Sequence, residues 1–281
     1  MPKVAIVTDS TVDLPEELAQ QYNIHIAPQQ IIWGTETYRD RYEMKPSDFY
    51  ERLKTSKENP RTSQASPGTL KEVYQNALKN ADALLVIILS SGLSQTYNSA
   101  MLAKNDLPDA KIEVVDTRVI SMAMGYMCLA AARMLAEGKS LEEAKKKVEN
   151  MIPMANVVFT VDTLDYLHRG GRIGGAARFI GNALNFKPVL NLKDGKVDPL
   201  ERVRTKKKAV EYIINVVAER TADKGPVRLA AIHANAESEA KELLEAANAR
   251  IKTVESIITS VSPVIGTHTG PGTVGLAYSI G

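Results

Sequence analysis

Cysteine is almost absent from this chain. Its 281 residues include a single cysteine, Cys128, so no disulfide can form within the chain and a reducing compartment is allowed. Long hydrophobic runs are missing too, because no segment approaches the roughly eighteen uninterrupted apolar residues of a membrane span. The opening MPKVAIVTDS has only a short apolar run before Asp9 and does not match a signal peptide. We therefore expect a cytoplasmic protein without a transmembrane segment.

Neither sign of charge is in excess. The chain has 35 basic and 33 acidic residues and a formal charge of +2, which gives no overall attraction to nucleic acid or to an anionic membrane. Hydrophobic residues make up 44% and charged residues 24%, ordinary values that exclude a disordered or fibrous chain. The length suffices for a sizeable core in two modest domains or one large one.

Motifs for binding phosphate or metal are also missing. No Gly-x-x-x-x-Gly-Lys-Ser/Thr segment occurs, and the glycines between 170 and 175 follow a helical pattern rather than a strand. The four histidines show no ligand spacing with one another, and the cysteine lies in a helical stretch rich in methionine and alanine. The sequence predicts neither a metal site nor a cofactor.

Strand and helix patterns alternate over residues 1–160. Aliphatic runs at Val4–Asp9, Leu84–Leu89 and Ile112–Asp116 are typical of buried parallel strands, and segments with helical periodicity lie between them. Asp13 is a candidate cap for the first of these helices. Right-handed crossovers then predict an α/β domain whose parallel sheet has helices on both faces.

The pattern changes near Asn156. Residues 165–185 form a helical stretch broken by glycines, and residues 187–204 are typical of a hairpin that turns at Asp194-Gly195. The final segment, TVESIITSVSPVIGTHTGPGTVGLAYSIG, has the pattern of two strands joined by a glycine-rich bend. We therefore predict a second domain over residues 161–281, of the α+β class with a mostly antiparallel sheet.

Polar residues follow the predicted parallel strands, at the edge where open sheets bind ligands. Ser10 and Thr11 follow the first strand, and the hydroxyl-bearing residues after the second are Ser90, Ser91, Ser94 and Thr96. Such hydroxyls can bind an anion, and a helix that starts after Ser94 aims unpaired N–H groups at the same place. They also cap helices, so both interpretations stay open.

Ser94 and His268 together allow two kinds of site. Ser94 lies in Gly-Leu-Ser-Gln-Thr, one residue short of the Gly-x-Ser-x-Gly elbow of serine hydrolases. His268 lies in PVIGTHTGPGTVG, whose glycines let the backbone approach a ligand closely. The two residues could be a hydrolytic dyad whose acid is unidentified, or two donors that hold a carboxylate.

Six segments in order resemble the DegV family along nearly the whole chain: VTDSTVDLP, RTSQASP, LSSGLSQTYNSA, VVDT, GGRI and HTGPGTVGL. That family includes the FakB fatty-acid-binding subunits of the bacterial fatty acid kinase. The resemblance implies an N-terminal α/β and a C-terminal α+β domain, with an acyl chain buried between and within them. It also implies a chain that is not itself an enzyme. Such a chain binds a long-chain fatty acid such as palmitate and presents its carboxylate to a FakA-like kinase, which makes acyl phosphate from ATP for phospholipid synthesis.

The resemblance also implies roles for individual residues. The family's carboxylate-binding threonine, serine and histidine correspond here to Thr62, Ser94 and His268. Two adjacent residues are candidates for additional head-group contacts, Ser63 and Gln95. Gln95 stands where the family usually has glycine, which adds bulk beside the carboxylate site without removing a polar contact.

Kinase docking is the second role that the resemblance implies. The arginine just before a threonine at a helix start corresponds to Arg204, and Arg172 in the GGRI segment is a further candidate for docking. Both lie in locally basic segments that could equally be solvated surfaces. A serine hydrolase and a binding protein for a non-lipid small molecule remain alternatives, and transient membrane contact is compatible with the carrier.

Overall fold

The computed structural model describes residues 2–180 and 186–281. The strands in that part of the chain are β1 (Val4–Asp9), β2 (His25–Ala27), β3 (Gln30–Trp33), β4 (Glu36–Arg39), β5 (Arg61–Ser63), β6 (Ala83–Ile88), β7 (Lys111–Asp116), β8 (Ala155–Thr160), β9 (Lys187–Lys193), β10 (Lys196–Val203), β11 (Val227–His233), β12 (Thr253–Ser260) and β13 (Val274–Ile280). The α-helices there are α1 (Glu16–Gln21), α2 (Pro46–Thr55), α3 (Pro67–Leu78), α4 (Thr96–Asn105), α5 (Met122–Ala136), α6 (Leu141–Met151), α7 (Asp165–Arg169), α8 (Lys206–Thr221), α9 (Glu237–Asn248) and α10 (Pro263–Thr269).

The first sheet is parallel and has the strand order β2-β1-β6-β7. All six residues of β6 are buried, because helices cover the sheet on each side and leave no polar face. α3 and α4 pack against β6, as do α5 and α6. This confirms the predicted N-terminal parallel sheet with helices on both faces.

A small antiparallel sheet of order β4-β3-β5 lies beside the first sheet and was not predicted. Its third strand, Arg61–Ser63, falls in the RTSQASP segment, whose Ser66 before Pro67 has the pattern of a helix cap. The cap itself exists three residues later, where the Ser66 Oγ accepts a hydrogen bond of 3.0 Å from the Thr69 amide at the start of α3. The segment is thus a short strand followed directly by a capped helix.

The second sheet has the order β10-β9-β8-β13-β11-β12 and is antiparallel except for the β11–β12 pair. This confirms the predicted mostly antiparallel C-terminal sheet. Its first strand in the chain is β8, at Ala155–Thr160, which pairs with β13 and β9. The domain boundary at residue 160 stays a prediction, although β8 pairs with the strands that follow that boundary.

α5 connects the two sheets. Every residue from Met122 to Ala132 is buried, and the helix contacts β1 and β6 of the first sheet together with β8, β11 and β13 of the second. A helix that is apolar on all sides needs apolar partners on all sides, and the two sheets and α6 supply them. The result is one continuous hydrophobic core that includes residues of both sheets.

The predicted hairpin is present, with β9 and β10 joined by Asp194 and Gly195. Both residues have positive φ, 51° and 75°, the combination of a type I′ turn that Asp-Gly favours. The turn rests on the loop after β6, because the Ser90 Oγ donates a hydrogen bond of 2.7 Å to the Gly195 carbonyl. Through this contact the hairpin of the second sheet reaches the carboxyl edge of the first.

Three local predictions were wrong or incomplete. The final segment is not two strands joined by a bend, since α10 lies between β12 and β13, and both strands pair with β11. Asp13 does not cap α1, whose first flanking residue is Pro15. Of the glycine-broken helical stretch, α7 and a 3-10 turn at Gly174–Phe179 are observed, and residues 181–185 lie outside the described residues.

None of the helices in the described ranges is long and apolar enough to cross a membrane.

A bidentate ion pair ties α5 to the second sheet. Arg133 donates hydrogen bonds of 2.8 and 2.9 Å to the two carboxylate oxygens of Glu255 on β12, and Arg228 lies 3.3 Å from the same group. The Glu255 side chain is only 22% exposed. Hydrogen bonding from Arg133 holds the pKa of Glu255 below its usual value, against the opposing effect of burial. Hydrogen bonds to charged groups in such partly buried pairs contribute about 1.5–3 kcal/mol.

We expect Glu255→Gln to lower the free energy of unfolding at pH 7 by about 1.5–3 kcal/mol, because two partly buried arginines lose their anionic partner. A lowered pKa stabilises the fold above the unfolded-state value of about 4.3, and this contribution is lost as pH falls through the folded-state pKa. The difference between variant and wild type in urea unfolding should therefore shrink below about pH 4.

The matched control is Glu237→Gln, which removes one member of an exposed ion pair with Lys241 on α9. Exposed pairs contribute about 0–1 kcal/mol, so this variant should unfold close to the wild type. Equal effects of the two substitutions would contradict the stabilising role assigned to Glu255.

Candidate functional site

A cavity lies between the carboxyl edge of the first sheet and the inner face of the second. Together with its open mouth, it contains about 790 Å³ of space that no atom fills. Its lining residues come from the second sheet, from β5 of the small sheet, from α7 and α10, and from connecting segments that include those after β1 and β6 and before α5. They are Thr11, Gln29, Thr62, Gln64, Leu89, Leu93, Ser94, Ile120, Ser121, Val157, Phe159, Leu167, Arg172, Leu192, Val197, Ile232, Val261, Val264, Ile265, His268, Thr269 and Thr273.

The wall supplied by the second sheet is apolar. Val157 and Phe159 on β8 point to the same side because side chains alternate along a strand. Leu192 on β9, Val197 on β10 and Ile232 on β11 continue this wall across neighbouring strands. The cavity therefore suits a ligand with an extended hydrocarbon part.

Thr62 and His268 meet at the polar part of the cavity. The Thr62 Oγ1 lies 2.8 Å from the His268 Nε2, although the residues are 206 positions apart in the chain. Pairing of β5 with β3 holds Thr62, and α10 holds His268 in its last turn. The chain can turn directly after α10 because Gly270 has a φ of 75°.

His268 is neutral at physiological pH. Burial, with a smaller contribution from the positive charge of Arg172, lowers the pKa of His268 from its usual 6.5 to about 4. Its Nδ1 is buried without a hydrogen-bond partner among the described residues. A neutral imidazole donates from one ring nitrogen and accepts at the other, so His268 and Thr62 can share one proton and offer another to an anion.

Ser94 lies on the same cavity, in the loop that follows β6. Its Oγ lies 2.9 Å from the Thr96 Oγ1 and accepts a hydrogen bond of 3.3 Å from the Thr96 amide. α4 begins at Thr96 with Gln95 in the cap position, so Ser94, the predicted cap, lies one residue before the observed cap and still bonds to the helix start. The structure thus brings Thr62, Ser94 and His268 to one cavity.

Ser63 and Gln95 are not among the residues that line this cavity. Gln64 lines it instead of Ser63, and the exposed Gln95 accepts a hydrogen bond of 2.5 Å from the Asn98 Nδ2 on α4. Side chains alternate along an extended segment, so Thr62 and Gln64 share one side and Ser63 lies on the other. Head-group contacts of Ser63 and Gln95 remain predictions.

Arg172 bridges the mouth of the cavity. Its Nε donates a hydrogen bond of 3.1 Å to the Leu93 carbonyl, and its Nη1 donates one of 2.8 Å to the Gly170 carbonyl.

Arg204 is exposed, directly before Thr205, whose side chain caps α8. Arg204 lines neither this cavity nor the groove next to it.

A basic groove adjoins the polar part of the cavity and shares Thr62, Arg172 and His268 with it. Its other charged residues are Lys57, Glu58, Arg61 and Arg169. The described residues place no carboxylate within ion-pair distance of the four cations of this groove. The exit from the cavity is therefore positively charged, in contrast to the balanced charge of the whole chain.

The sequence did not single out several polar residues of the cavity. Gln29 and Ser121 have no distinguishing pattern, and each donates a hydrogen bond to a buried aspartate, Gln29 to Asp9 and Ser121 to Asp13. Thr11 follows β1 and was identified as a strand-end hydroxyl; it also donates to Asp9. The contacts of Gln29 and Ser121 join segments far apart in sequence, so no local pattern could have identified these two residues.

The geometry gives no support to a hydrolytic dyad. No hydrogen bond joins Ser94 to His268 in the described ranges, because Ser94 bonds to Thr96 and His268 to Thr62. No carboxylate there accepts from the His268 Nδ1, which is the position that the acid of a triad would occupy. Nor do the described residues include a group of three or more metal-ligating side chains.

The family model described as "Uncharacterised protein, DegV family" matches residues 3–280. The chain belongs to the DegV family. The protein DegV of Bacillus subtilis is 37% identical over 276 residues, with 98% of each chain covered. Its crystal structure, described as that of a fatty acid binding protein, superposes with a TM-score of 0.92 at 36% identity and covers 100% of both chains.

Two further DegV-fold structures carry ligand descriptions. A fatty-acid-binding DegV family protein from Thermus thermophilus has a TM-score of 0.93 and 36% identity, with 99% of each chain covered. A stearic-acid-binding protein from Eubacterium ventriosum has a TM-score of 0.89 and 26% identity, covering 100% of this chain and 98% of the other. The resemblance that the sequence indicated is confirmed at the level of the family and the fold.

Gly170 allows His268 to occupy its position against Thr62. An alanine Cβ at residue 170 would lie 2.1 Å from the His268 Nδ1, closer than any real contact, while the φ of −75° at Gly170 suits alanine. We expect Gly170→Ala to push the imidazole away from its buried position. The pKa of His268 should then rise from about 4 toward about 6.5, as measured by NMR titration.

Gly68→Ala is the control, because its new Cβ would meet nothing closer than the Ser66 Oγ at 3.8 Å. The pKa of His268 should not change in this variant. An unchanged titration in Gly170→Ala would show that the imidazole does not depend on the space beside Gly170.

Proposed function

We propose that this DegV-family chain binds a long-chain fatty acid, such as palmitate, and presents its carboxylate to a separate kinase. The observation that carries the proposal is a cavity whose apolar walls end at three neutral hydrogen-bonding side chains, Thr62, Ser94 and His268. The acyl chain occupies the apolar part, and the carboxylate lies at these three residues, next to the basic groove. Fatty-acid binding by relatives with the same fold supports this assignment.

The hydrocarbon tail supplies the affinity. About fourteen buried methylenes contribute about 11 kcal/mol at about 0.8 kcal/mol each, before the cost of ordering the chain. The walls on β8, β9, β10 and β11 are of the aliphatic and aromatic kind that this transfer requires. The polar residues then fix the orientation of the ligand and contribute the smaller part of its affinity.

The head-group site holds a carboxylate without a salt bridge. Hydroxyl and imidazole donors satisfy the carboxylate oxygens, and leaving such a group unpaired costs about 1–3 kcal/mol or more. Because His268 is neutral, no closed ion pair forms with it. One carboxylate oxygen can therefore remain reactive toward a phosphoryl donor that enters from the basic groove.

The reaction itself belongs to the partner in this proposal. A carboxylate oxygen of the bound acid attacks the γ-phosphorus of ATP on a FakA-like kinase, which gives acyl phosphate and ADP. This chain contributes binding and orientation and no catalytic residue, and it acts in the cytoplasm, where ATP is available. Arg204 is exposed for docking, and Arg172 lies at the opening through which the carboxylate is reached.

Mass spectrometry of the denatured protein tests the ligand class. The protein purified from cells should release a long-chain fatty acid close to one molecule per chain, because transfer of such a buried tail to water is unfavourable. A non-lipid metabolite in the extract would favour the alternative small-molecule binding protein. A purified chain that neither carries a fatty acid nor binds added palmitate would refute the proposal.

Replacement of Ser94 by alanine tests the head-group site. We expect Ser94→Ala to fold normally and to bind palmitate about 10- to 100-fold more weakly, because one hydrogen bond to a charged group contributes about 1.5–3 kcal/mol. Fluorescence displacement at equilibrium measures the affinity. Ser47→Ala, a change at an exposed residue of α2, should bind like the wild type.

Arg204→Ala separates binding from presentation. This variant should bind palmitate normally and lose turnover with the kinase, whereas Ser94→Ala loses both. Arg250→Ala, at an exposed position after α9, is the matched arginine control and should retain both functions.

Unchanged binding of palmitate in Ser94→Ala would contradict the assignment of Ser94 to the carboxylate site. Labelling of Ser94 by a fluorophosphonate would contradict it too, and would favour a hydrolase.

A further inference from the structure

Three aspartates lie buried beside the cavity, and the function proposed above assigns them no role. Asp9, Asp13 and Asp40 are completely buried. Removing an ionised carboxylate from water is costly unless its hydrogen bonds are met, and a hydrophobic side chain would pack here without that cost. Burial raises the pKa of Asp13 and of Asp40 to about 7, and Arg41 opposes this rise in both.

Asp13 joins three segments of the chain. Its Oδ2 accepts a hydrogen bond of 2.6 Å from the Ser121 Oγ, and its Oδ1 accepts one of 2.8 Å from the Ser262 amide. Its own carbonyl accepts a hydrogen bond of 2.8 Å from the Thr259 Oγ1 on β12. The carboxylate turns toward Ser262 and Ser121 from a residue in the left-handed conformation, with a φ of 49°.

Asp40 binds the first turn of α10, close to the amide that Asp13 binds. It accepts hydrogen bonds of 2.6 Å from the Ser10 Oγ and 3.3 Å from the Val264 amide. The Asp40 amide is in turn bonded to the Gln29 carbonyl at 2.9 Å. Two carboxylates from the first 40 residues thus hold the backbone at the amino end of α10.

α10 needs these bonds because its first amide groups have few other partners. Pro263 has no N–H, and the Ser262 Oγ accepts from the Ile265 amide at 3.4 Å, so the Ser262 and Val264 amides remain to be satisfied. Asp13 and Asp40 satisfy them. α10 has only seven residues, too few to be stable without such external support, and His268 is its sixth residue.

We propose that Asp13 and Asp40 are positioning residues for the fatty-acid site. They anchor the amino end of α10, so that His268 near its other end stays buried against Thr62. Asp9, Arg41 and Tyr50 are the other charged or titratable groups that act on these two carboxylates. The consequence for ligand binding rests on the function proposed above, whereas the anchoring of His268 can be measured without a ligand.

Alanine substitutions remove the two anchors. In Asp13→Ala and Asp40→Ala we expect the pKa of His268, followed by NMR titration, to rise from about 4 toward about 6.5 as the imidazole leaves its buried site. Loss of a nearby negative charge acts in the opposite direction and lowers the pKa of a histidine. A rise therefore reports movement of His268 and not the missing charge.

Two controls separate positioning from general destabilisation. Asp13→Asn and Asp40→Asn keep an oxygen that accepts from the backbone amides, so the pKa of His268 should stay near about 4. Leu243 is a buried residue of α9 in a hydrophobic cluster between that helix and the second sheet. Leu243→Ala lowers stability there, and the pKa of His268 should again stay the same. A change in Leu243→Ala as large as that in the aspartate variants would overturn the proposal.

Palmitate binding gives the second measurement. The alanine variants should bind palmitate at least 10-fold more weakly, and the asparagine variants within about threefold of the wild type. If the wild type binds no fatty acid, the proposed function is wrong. The titration of His268 still shows in that case whether Asp13 and Asp40 anchor α10. An unchanged pKa of His268 in the folded alanine variants would overturn the anchoring even if fatty acid binds.

Hydrogen exchange of the wild-type protein covers the case in which the alanine variants do not fold. The Ser262 and Val264 amides should exchange far more slowly than amides of exposed loops, because each is buried and bonded to a carboxylate. Exchange at the rate of an open loop would show that the anchors are not formed in solution and would refute the proposal.

Discussion

The burial of α5 between the two sheets is the constraint on which the structure depends. A helix with no polar side cannot face water, so it fixes the first sheet on one side and the second on the other. The cavity lies beside this contact, between the carboxyl edge of the parallel strands and the inner face of the antiparallel ones. The relation between the sheets thus determines the shape of the ligand site.

The cavity separates two physical tasks. Aliphatic and aromatic side chains on four strands of the second sheet provide the hydrophobic surface, while the polar side chains Thr62, Ser94 and His268 come from β5, the loop after β6 and α10. A neutral imidazole among these residues avoids a permanent ion pair, and the cations stand farther out in the groove. The opening thus carries positive charge, and the hydrogen-bonding groups inside it are neutral.

Much of the fold could be predicted because its signals are local. The aliphatic run of β6 and the Asp-Gly turn after β9 each specify one structure within a few residues. α10 was missed since PVIGTHT contains glycine and β-branched residues, which favour other conformations, and its stability comes from carboxylates more than 220 residues away. The pairing of β5 and the position of Asp13 depend on similar distant contacts. Local patterns singled out Ser94 and His268 as possible partners in one site, and only the family resemblance added Thr62 to them.

The position of β13 has a consequence for synthesis. Residues Val274–Ile280 form an interior strand of the second sheet, between β8 and β11, and α10 directly precedes them. A ribosome releases chains from the amino end, so the parallel sheet can form while the other sheet still lacks a strand at its centre. Until β13 emerges, the apolar faces of β8, β11 and α5 that it covers lack this partner. The apolar wall of the cavity is therefore completed only after the parallel sheet can already have formed.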